Sequence, residues 1–254
     1  DIPSNATIKE VTLKKETTGE WYVTFGLEVE DTALPEKLDV DDLDTEDCVG
    51  IDLGITNYIY TSDGDSVDWL DLTDEYDRLR REQRSLSRKE HGSNNWEKQR
   101  REVAKAHRRI KRKVEDFQHT LTTWLVTTYD AVFVEDLNVS GMLQQRGNAR
   151  NKQDAAWRGF IEMLEYKSDL YGTHVVQVNP VGTTKECAGC GVESEKPLWV
   201  REHSCPSCGF KVDRDANASY NVLSRGLQKV GLGQAEVTPV ETATAVETDG
   251  GRSS

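Results

Sequence analysis

No stretch of this 254-residue chain approaches the ~18 consecutive apolar residues that a membrane span requires. No basic, apolar and small-residue leader opens it either. The absences exclude an integral membrane protein and point to a soluble, cytoplasmic one with no membrane partner. No internal repeat recurs, which excludes stacked-repeat architectures. Cysteine is scarce at five residues, too few for a disulfide-stapled secreted scaffold of this length. Positive charge is also short: 32 Lys and Arg face 45 Asp and Glu, for a net −13. That balance argues at first against a nucleic-acid partner. The chain opens at Asp1, not methionine, and its first residues read as mid-domain strands, so an N-terminal portion is expected to precede them.

The distribution of charge reverses the first impression. Between Arg78 and Lys113 there are 15 Lys and Arg against four Glu, net +11, which leaves −24 on the rest. An acidic chain with one basic segment fits a salt-adapted protein whose acidity serves solubility. The basic segment fits a phosphate backbone. Its candidate nucleic-acid contacts are Arg78, Arg81, Arg84, Arg88, Arg100, Arg101, Lys105, Arg108, Arg109 and Arg112, against the alternative of a merely solvated helix face. Trp96 and His107 can stack on bases, although a Trp that opens a helix more often staples it.

Hydrophobic periodicity supplies the elements. Residues 7–30 alternate as two strands about Thr18-Gly19, with Trp21, Val23, Phe25, Leu27 and Val29 on one face. An acidic linker follows to Asp47. CVGIDLG reads as a buried strand, with Asp52 on the face opposite Val49, Ile51 and Leu53, and a second strand comes after it. From about Thr73 to Thr128 the period is helical: one helix capped by Asp74, a break at HGSNN, and a long helix from Trp96 to Thr127. DAVFVEDLN is a short buried strand, 144–154 a polar loop, and the Trp157, Phe160, Ile161, Leu164 stripe a core-facing helix. THVVQVNP is a strand. A last helix runs from about Asp215 to Gly226, and the remainder, from 229, reads as a disordered acidic tail.

Four of the cysteines form two tight pairs, Cys187-Ala-Gly-Cys190 and Cys205-Pro-Ser-Cys208, 14 residues apart. A glycine closes each pair, Gly191 and Gly209. Two knuckles at this spacing supply the four soft donors of a tetrahedral zinc site; a disulfide pair is the alternative. His203 lies between them and can replace a sulfur, but four thiolates already fill the shell. Cys48 stands apart as a buried thiol.

Three acids stand at element ends: Asp52, Glu135 and Asp215. A carboxylate inside an apolar strand is costly unless positive charge meets it. Three that converge repel one another unless divalent cations neutralise them. Mg²⁺ or Mn²⁺ held by such acids hydrolyses phosphodiesters. Taken singly, each acid has a structural alternative, and Asp63, Asp136 and Asp213 read as solvated caps.

GIDLGITN at 50–57, FVEDLNVSGM at 133–142 and CAGCG…CPSCGFKVDRDANASYNV at 187–222 together resemble TnpB, the OrfB-type RNA-guided endonucleases of insertion sequences, relatives of small type V CRISPR nucleases. The likeness covers roughly residues 7 to 227. It implies an α/β fold: an RNase H-like (RuvC) domain with a mixed sheet, a helical hairpin insertion and an inserted four-cysteine zinc ribbon. It further implies Asp52, Glu135 and Asp215 as catalytic Mg²⁺ or Mn²⁺ ligands, Cys187, Cys190, Cys205 and Cys208 as zinc ligands, and guide RNA and target DNA as partners. Arg214 and Asn217 flank the third acid and are expected to orient substrate. The implied organisation is remnant strands of an N-terminal barrel (1–34), a nuclease core (35–180) with the basic hairpin at 74–127, the ribbon (181–212), a final nuclease helix (213–228) and the tail (229–254). The chain is then an N-terminally shortened, haloarchaeal-type member. The alternative is an inactive or truncated zinc-ribbon protein that binds DNA or RNA and regulates transposition. A strand-transfer transposase, with acids usually ordered Asp, Asp, Glu, is disfavoured by the order here.

Overall fold

The computed structural model describes residues 2, 5–29, 34–54, 56–136, 148–195, 197 and 199–233. It divides into two compact units, one of Asp1–Leu34 with Leu70–Phe117 and one of Pro35–Trp69 with Gln118–Ser254.

In the first unit, β1 (Ala6–Lys15) and β2 (Trp21–Val29) form an antiparallel ribbon with a bulge between Ile8 and Glu10. Gly19 turns the chain at φ +92°, a conformation that suits glycine. Register sets Val11, Leu13 and Lys15 opposite Phe25, Val23 and Trp21, so the apolar residues do share a face. That face is exposed; Leu13 and Trp21 are 68% and 65% accessible. The helical hairpin follows. Its first helix, α1 (Thr73–Ser87), is preceded by Asp71, whose Oδ1 accepts from the Thr73 amide at 2.9 Å. Asp71 thus does the work expected of Asp74. The second helix, α2 (Asn94–Thr128), begins two residues before Trp96, whose ring lies 4.4 Å from that of His91. Leu79, Ala106 and Ile110 are buried together with Leu72, Tyr76 and Val103 packed around them.

In the second unit, β3 (Cys48–Asp52), β4 (Asn57–Thr61), β5 (Ser66–Asp68), β6 (Ala131–Glu135) and β7 (His174–Val178) make a five-stranded mixed sheet, ordered β5-β4-β3-β6-β7. β3, β6 and β7 run parallel, and β4 pairs antiparallel with both β3 and β5. β3 and β6 are buried along their whole length, as the apolar runs predict. Three-residue β5 is too short to carry a period. Helix α3 (Asn148–Tyr171) starts earlier than the sequence predicts: 148–154 is helical, not loop, because polarity alone does not break a segment that lacks Gly and Pro. The expected loop residues 144–147 lie outside the described residues, as do 137–142 of the second motif and Ile55 of the first. Trp157 and Phe160 of α3 enter an aromatic cluster. The Tyr58 ring lies 4.9 Å from Trp69 and 5.6 Å from Phe160, and Trp69 lies 5.9 Å from Trp157.

A small antiparallel pair, β8 (Glu202–Ser204) and β9 (Lys211–Asp213), belongs to the cysteine-rich segment. The last helix, α4 (Arg214–Val230), is longer than expected at both ends and stops at Gly231, φ +94°. So 229 and 230 are helix, and the rest of the predicted acidic tail from 234 lies outside the described residues. α4 beds closely on the sheet. A β-carbon on Gly50 would sit 2.3 Å from the Ser219 carbonyl oxygen, and one on Gly226 would sit 2.1 Å from the Phe133 ring. No helix among the described residues is long and apolar enough to cross a membrane.

Candidate active site and metal centre

Because β3 and β6 run parallel with Ile51 opposite Val134, their C-terminal ends bring Asp52 and Glu135 side by side. α4 lies across β3 and presents Asp215 in its first turn, where Asp213 caps it by accepting from the Asp215 amide at 2.8 Å. A β-carbon on Gly54 would stand 3.6 Å from both Asp52 Oδ2 and Asp215 Oδ2. The Asp52 and Asp215 carboxylates therefore lie close together at one end of the sheet, and Glu135, on the neighbouring strand end, is near enough for its charge to act on Asp52. All three are buried, at 6%, 8% and 6% exposure.

Electrostatics follows from that crowding. Burial, then the charges of Glu135 and Asp215, push Asp52 well above the ordinary carboxylate range, against the pull of Arg201 and Arg214. Burial likewise raises Glu135; the Thr183 hydroxyl, which donates to Glu135 Oε1 at 2.6 Å, and Arg225 oppose it. Arg201 pairs with Asp215 through Nη2 and Oδ2. At Asp52 and Glu135 burial outweighs the pull of these arginines.

Folded Asp52 and Glu135 hold protons more tightly than the unfolded chain does. The stability this contributes is complete below their unfolded values, 3.8 and 4.5, and is lost as pH rises through the raised folded ones. Without divalent cations, the thermal midpoint is expected to fall as pH rises from the carboxylate range toward neutrality. Asp52→Asn should flatten that slope and raise the midpoint near neutral pH by several degrees in a metal-free thermal scan. An unchanged slope would count against a strained cluster.

Three contributors escaped sequence reasoning. Arg201, Thr183 and Arg225 lie 14 residues or more from the acids they touch or bias, and no local spacing marks them. Asn217 departs from expectation. It is fully buried and bonds to backbone groups near the first cysteine pair, so it does not face substrate. Arg214 does bear on the site, through its charge on Asp52. Asp63 accepts from the Tyr129 hydroxyl at 2.8 Å, a structural role.

Sulfurs of Cys187, Cys190, Cys205 and Cys208 all lie within 4.8 Å of one another. Cys187 to Cys208 is 3.7 Å and Cys190 to Cys205 3.5 Å. Four sulfurs at ~2.3 Å from a tetrahedral ion stand about 3.8 Å apart, so the set fits a metal such as zinc and is too open for disulfides. Gly191 and Gly209, at φ +73° and +77°, let their amides fold back to the carbonyls of Cys187 and Cys205. Burial pushes the Cys187 thiol up to about 12, so a bound metal must displace its proton. His203 is buried beside Phe210, outside this four-sulfur set.

The ten basic candidates all fall in the first unit and divide by partner. Arg108 is half-buried and tied to the ribbon turn, pairing with Glu16 and Glu20 and donating to Thr18 and to Tyr22 Oη at 2.9 Å. Arg112 also donates to Tyr22 Oη, at 2.5 Å. Arg109 meets Glu75 at 3.4 Å, Arg100 meets Glu97 at 3.0 Å and Lys105 meets Glu102 at 2.7 Å. Arg78, Arg81, Arg84, Arg88 and Arg101 are exposed.

Two family models match in sequence. OrfB_IS605, described as "Probable transposase", matches residues 26–146, and the Cas12f1-like TNB domain matches 157–222. The chain is thus similar in sequence to OrfB-type and Cas12f1-like proteins. Among its relatives is a Streptomyces pristinaespiralis protein named "Putative RNA-guided DNA endonuclease". It is 39% identical over 229 residues, which cover 89% of this chain and 55% of that protein. An Escherichia coli K12 protein, named "Putative RNA-guided DNA endonuclease InsQ", is 30% identical over 244 residues, 89% of this chain and 59% of its own length. The chain thus spans little more than half the length of these relatives. Among solved structures, a Cas12f1–sgRNA–target DNA complex matches with TM-score 0.59 at 18% identity, covering 86% of this chain and 46% of the other. A Cas12f ternary complex matches at TM-score 0.54 and 18% identity, covering 80% and 42%. At this identity the likenesses show the fold alone: a mixed α/β architecture shared with the Cas12f chains, with the four cysteines clustered in its cysteine-rich segment.

Proposed function

We propose that this chain carries the nuclease core of a transposon-encoded, RNA-guided DNA endonuclease that hydrolyses phosphodiester bonds with divalent metal. The observation that carries the reading is the gathering of buried Asp52, Glu135 and Asp215 at one end of the sheet, where burial and neighbouring carboxylate charge raise Asp52 against the pull of Arg201 and Arg214. Asp52, Glu135 and Asp215 would hold Mg²⁺ or Mn²⁺, which when bound activates the attacking water and stabilises the leaving oxygen. Thr183 orients Glu135, and Asp213 fixes the helix turn that presents Asp215. Arg201 and Arg214 add fixed positive charge where a phosphate would sit. Zinc is the metal suited to the four sulfurs, and its role is structural because the ligand shell is closed.

Guide RNA and target DNA are the partners this reading requires. Residues 35–180 then form the first two parts of the nuclease core, 181–212 the ribbon and 213–228 the third part. The exposed apolar face of β1 and β2 supports the reading of residues 1–34 as strands of a larger barrel. The basic hairpin supplies phosphate contacts through Arg78, Arg81, Arg84, Arg88 and Arg101, whereas Arg108 serves the ribbon turn. RNA affinity is expected to fall with salt, by about 0.7 in the log–log slope per phosphate neutralised on a single strand. Replacing Arg81, Arg84 and Arg88 by Gln should lower the slope by about two units in a titration series, while Arg108→Gln should destabilise the fold instead. A slope unmoved by the triple change would assign these arginines to a solvated face.

The test of the whole reading is to purify the full-length protein with its RNA, sequence that RNA and offer matching DNA. Mg²⁺-dependent cleavage is expected. Failure to retain RNA, or RNA retention without cleavage, would overturn it, the latter in favour of a binding-only protein.

A further inference from the structure

Asn217, Asn221 and Arg225 stand one turn apart along α4, at i, i+4 and i+8, and so share an edge of the helix. All three grip one stretch, residues 179–188, which leads from the end of β7 into the first cysteine pair. Asn217 donates to the carbonyls of Thr183 and Glu186 at 3.4 and 2.8 Å. Asn221 donates to the same two at 2.7 and 2.8 Å. Two amide groups offer four N–H bonds and two carbonyls offer four lone pairs, so donors and acceptors match. Asn217 Oδ1 in turn accepts from the Ala188 amide at 3.1 Å, inside the first knuckle. Arg225 completes the edge, donating to the carbonyls of Asn179 and Val181 at 2.6 and 2.8 Å and pairing with Glu186 at 2.6 Å.

Thr183 connects this grip to the acids. It is 2% exposed, and its hydroxyl is 2.6 Å from Glu135 Oε1 and 3.1 Å from the Pro180 carbonyl. One hydroxyl proton serves one acceptor well, so the backbone position of Thr183 decides which oxygen receives it. That position is fixed by Asn217 and Asn221, and Asn217 is fixed in part by the knuckle.

We propose that Asn217 and Asn221 are positioning residues that transmit the folded state of the Cys187–Cys190 knuckle to Glu135, so that filling the cysteine site sets the orientation of a carboxylate in the acid cluster. This rests on the reading of that cluster as a divalent-cation site. A knuckle without its metal has little core to hold it. Releasing it removes the Ala188 end of the chain of bonds and frees Thr183 to turn toward Pro180.

The experiment uses the 254-residue chain, zinc-loaded and zinc-stripped, with Asn217→Ala, Asn221→Ala and Thr183→Val variants. Amide exchange at Ala188 and Mn²⁺ affinity by electron paramagnetic resonance are read in parallel. Stripping zinc, or Asn217→Ala, is expected to expose the Ala188 amide and weaken Mn²⁺ binding about tenfold, the low end for loss of a partner that orients a metal ligand. Asn221→Ala should weaken Mn²⁺ binding similarly. Thr183→Val should keep zinc and Ala188 protection yet show the same loss of Mn²⁺ affinity. Should Asn217→Ala fail to fold, the Thr183→Val and zinc-stripped arms still decide. Mn²⁺ affinity that depends on Asp52 but ignores both zinc and Thr183 would overturn the coupling alone. No Mn²⁺ binding by the wild type, or binding indifferent to Asp52→Asn, would overturn the acid-cluster reading and the coupling with it.

Discussion

Alanine at Asp52, Glu135 or Asp215, placed in a full-length, guide-loaded protein, lowers Mg²⁺-dependent cleavage of matching DNA by roughly a thousandfold or more and leaves guide RNA bound. That is the expected result. A thousandfold is ~4 kcal/mol of transition-state stabilisation, which is within what a mispositioned metal forfeits. The three acids should give similar losses because they act as one unit; double substitutions should add little beyond the singles. RNA retention should survive because the acids are buried at the end of the sheet and contribute no positive charge. Cleavage assays paired with an RNA pull-down check both halves. Wild-type cleavage by any one variant would remove that residue from the site, and loss of RNA in all three would mean misfolding.

Removing the metal from the cysteine cluster has the second large effect. Structural zinc contributes on the order of 10–16 kcal/mol in small zinc peptides near neutral pH, more than the two-strand β8–β9 pair can supply alone. Chelation, or Cys187→Ser, is therefore expected to unfold the segment around residues 187–213 and leave the five-stranded sheet standing. Thiol titration under native conditions gives a clean readout. The four clustered thiols become reactive after chelation. Cys48, 2% exposed and pushed up to about 11 by burial, stays silent until global unfolding. Elemental analysis should return about one zinc per chain before chelation. Freshly prepared protein with no zinc, or a fifth thiol reacting with the other four, would contradict this account.

Much of the architecture was legible because the chain obeys simple periods. β3 and β6 are apolar up to their terminal acids, as strands buried on both faces are, and α3 shows its Trp157 stripe. The paired cysteines announced themselves by spacing. What stayed hidden depends on three-dimensional neighbours. Nothing local in residues 148–154 separates a polar loop from a polar helix turn. Asn217 sits beside Asp215 in sequence and invites a role in substrate handling, but a helix turns about 100° per residue, and two positions on it faces the ribbon segment instead. Arg201 and Thr183 come to the acids only after the cysteine-rich segment folds back on the sheet. The basic run was visible as charge, yet charge counts could not tell Arg108, consumed by Glu16, Glu20 and Tyr22, from exposed Arg81 or Arg84.

Two missing side chains set how deeply the last helix seats. With a methyl at Gly50 or Gly226 the helix would be lifted away from the strand bearing Asp52, carrying Asp215 with it. The geometry of the acid centre is thus written partly in omitted atoms, and a survey that scored only charged positions would pass over two of its determinants.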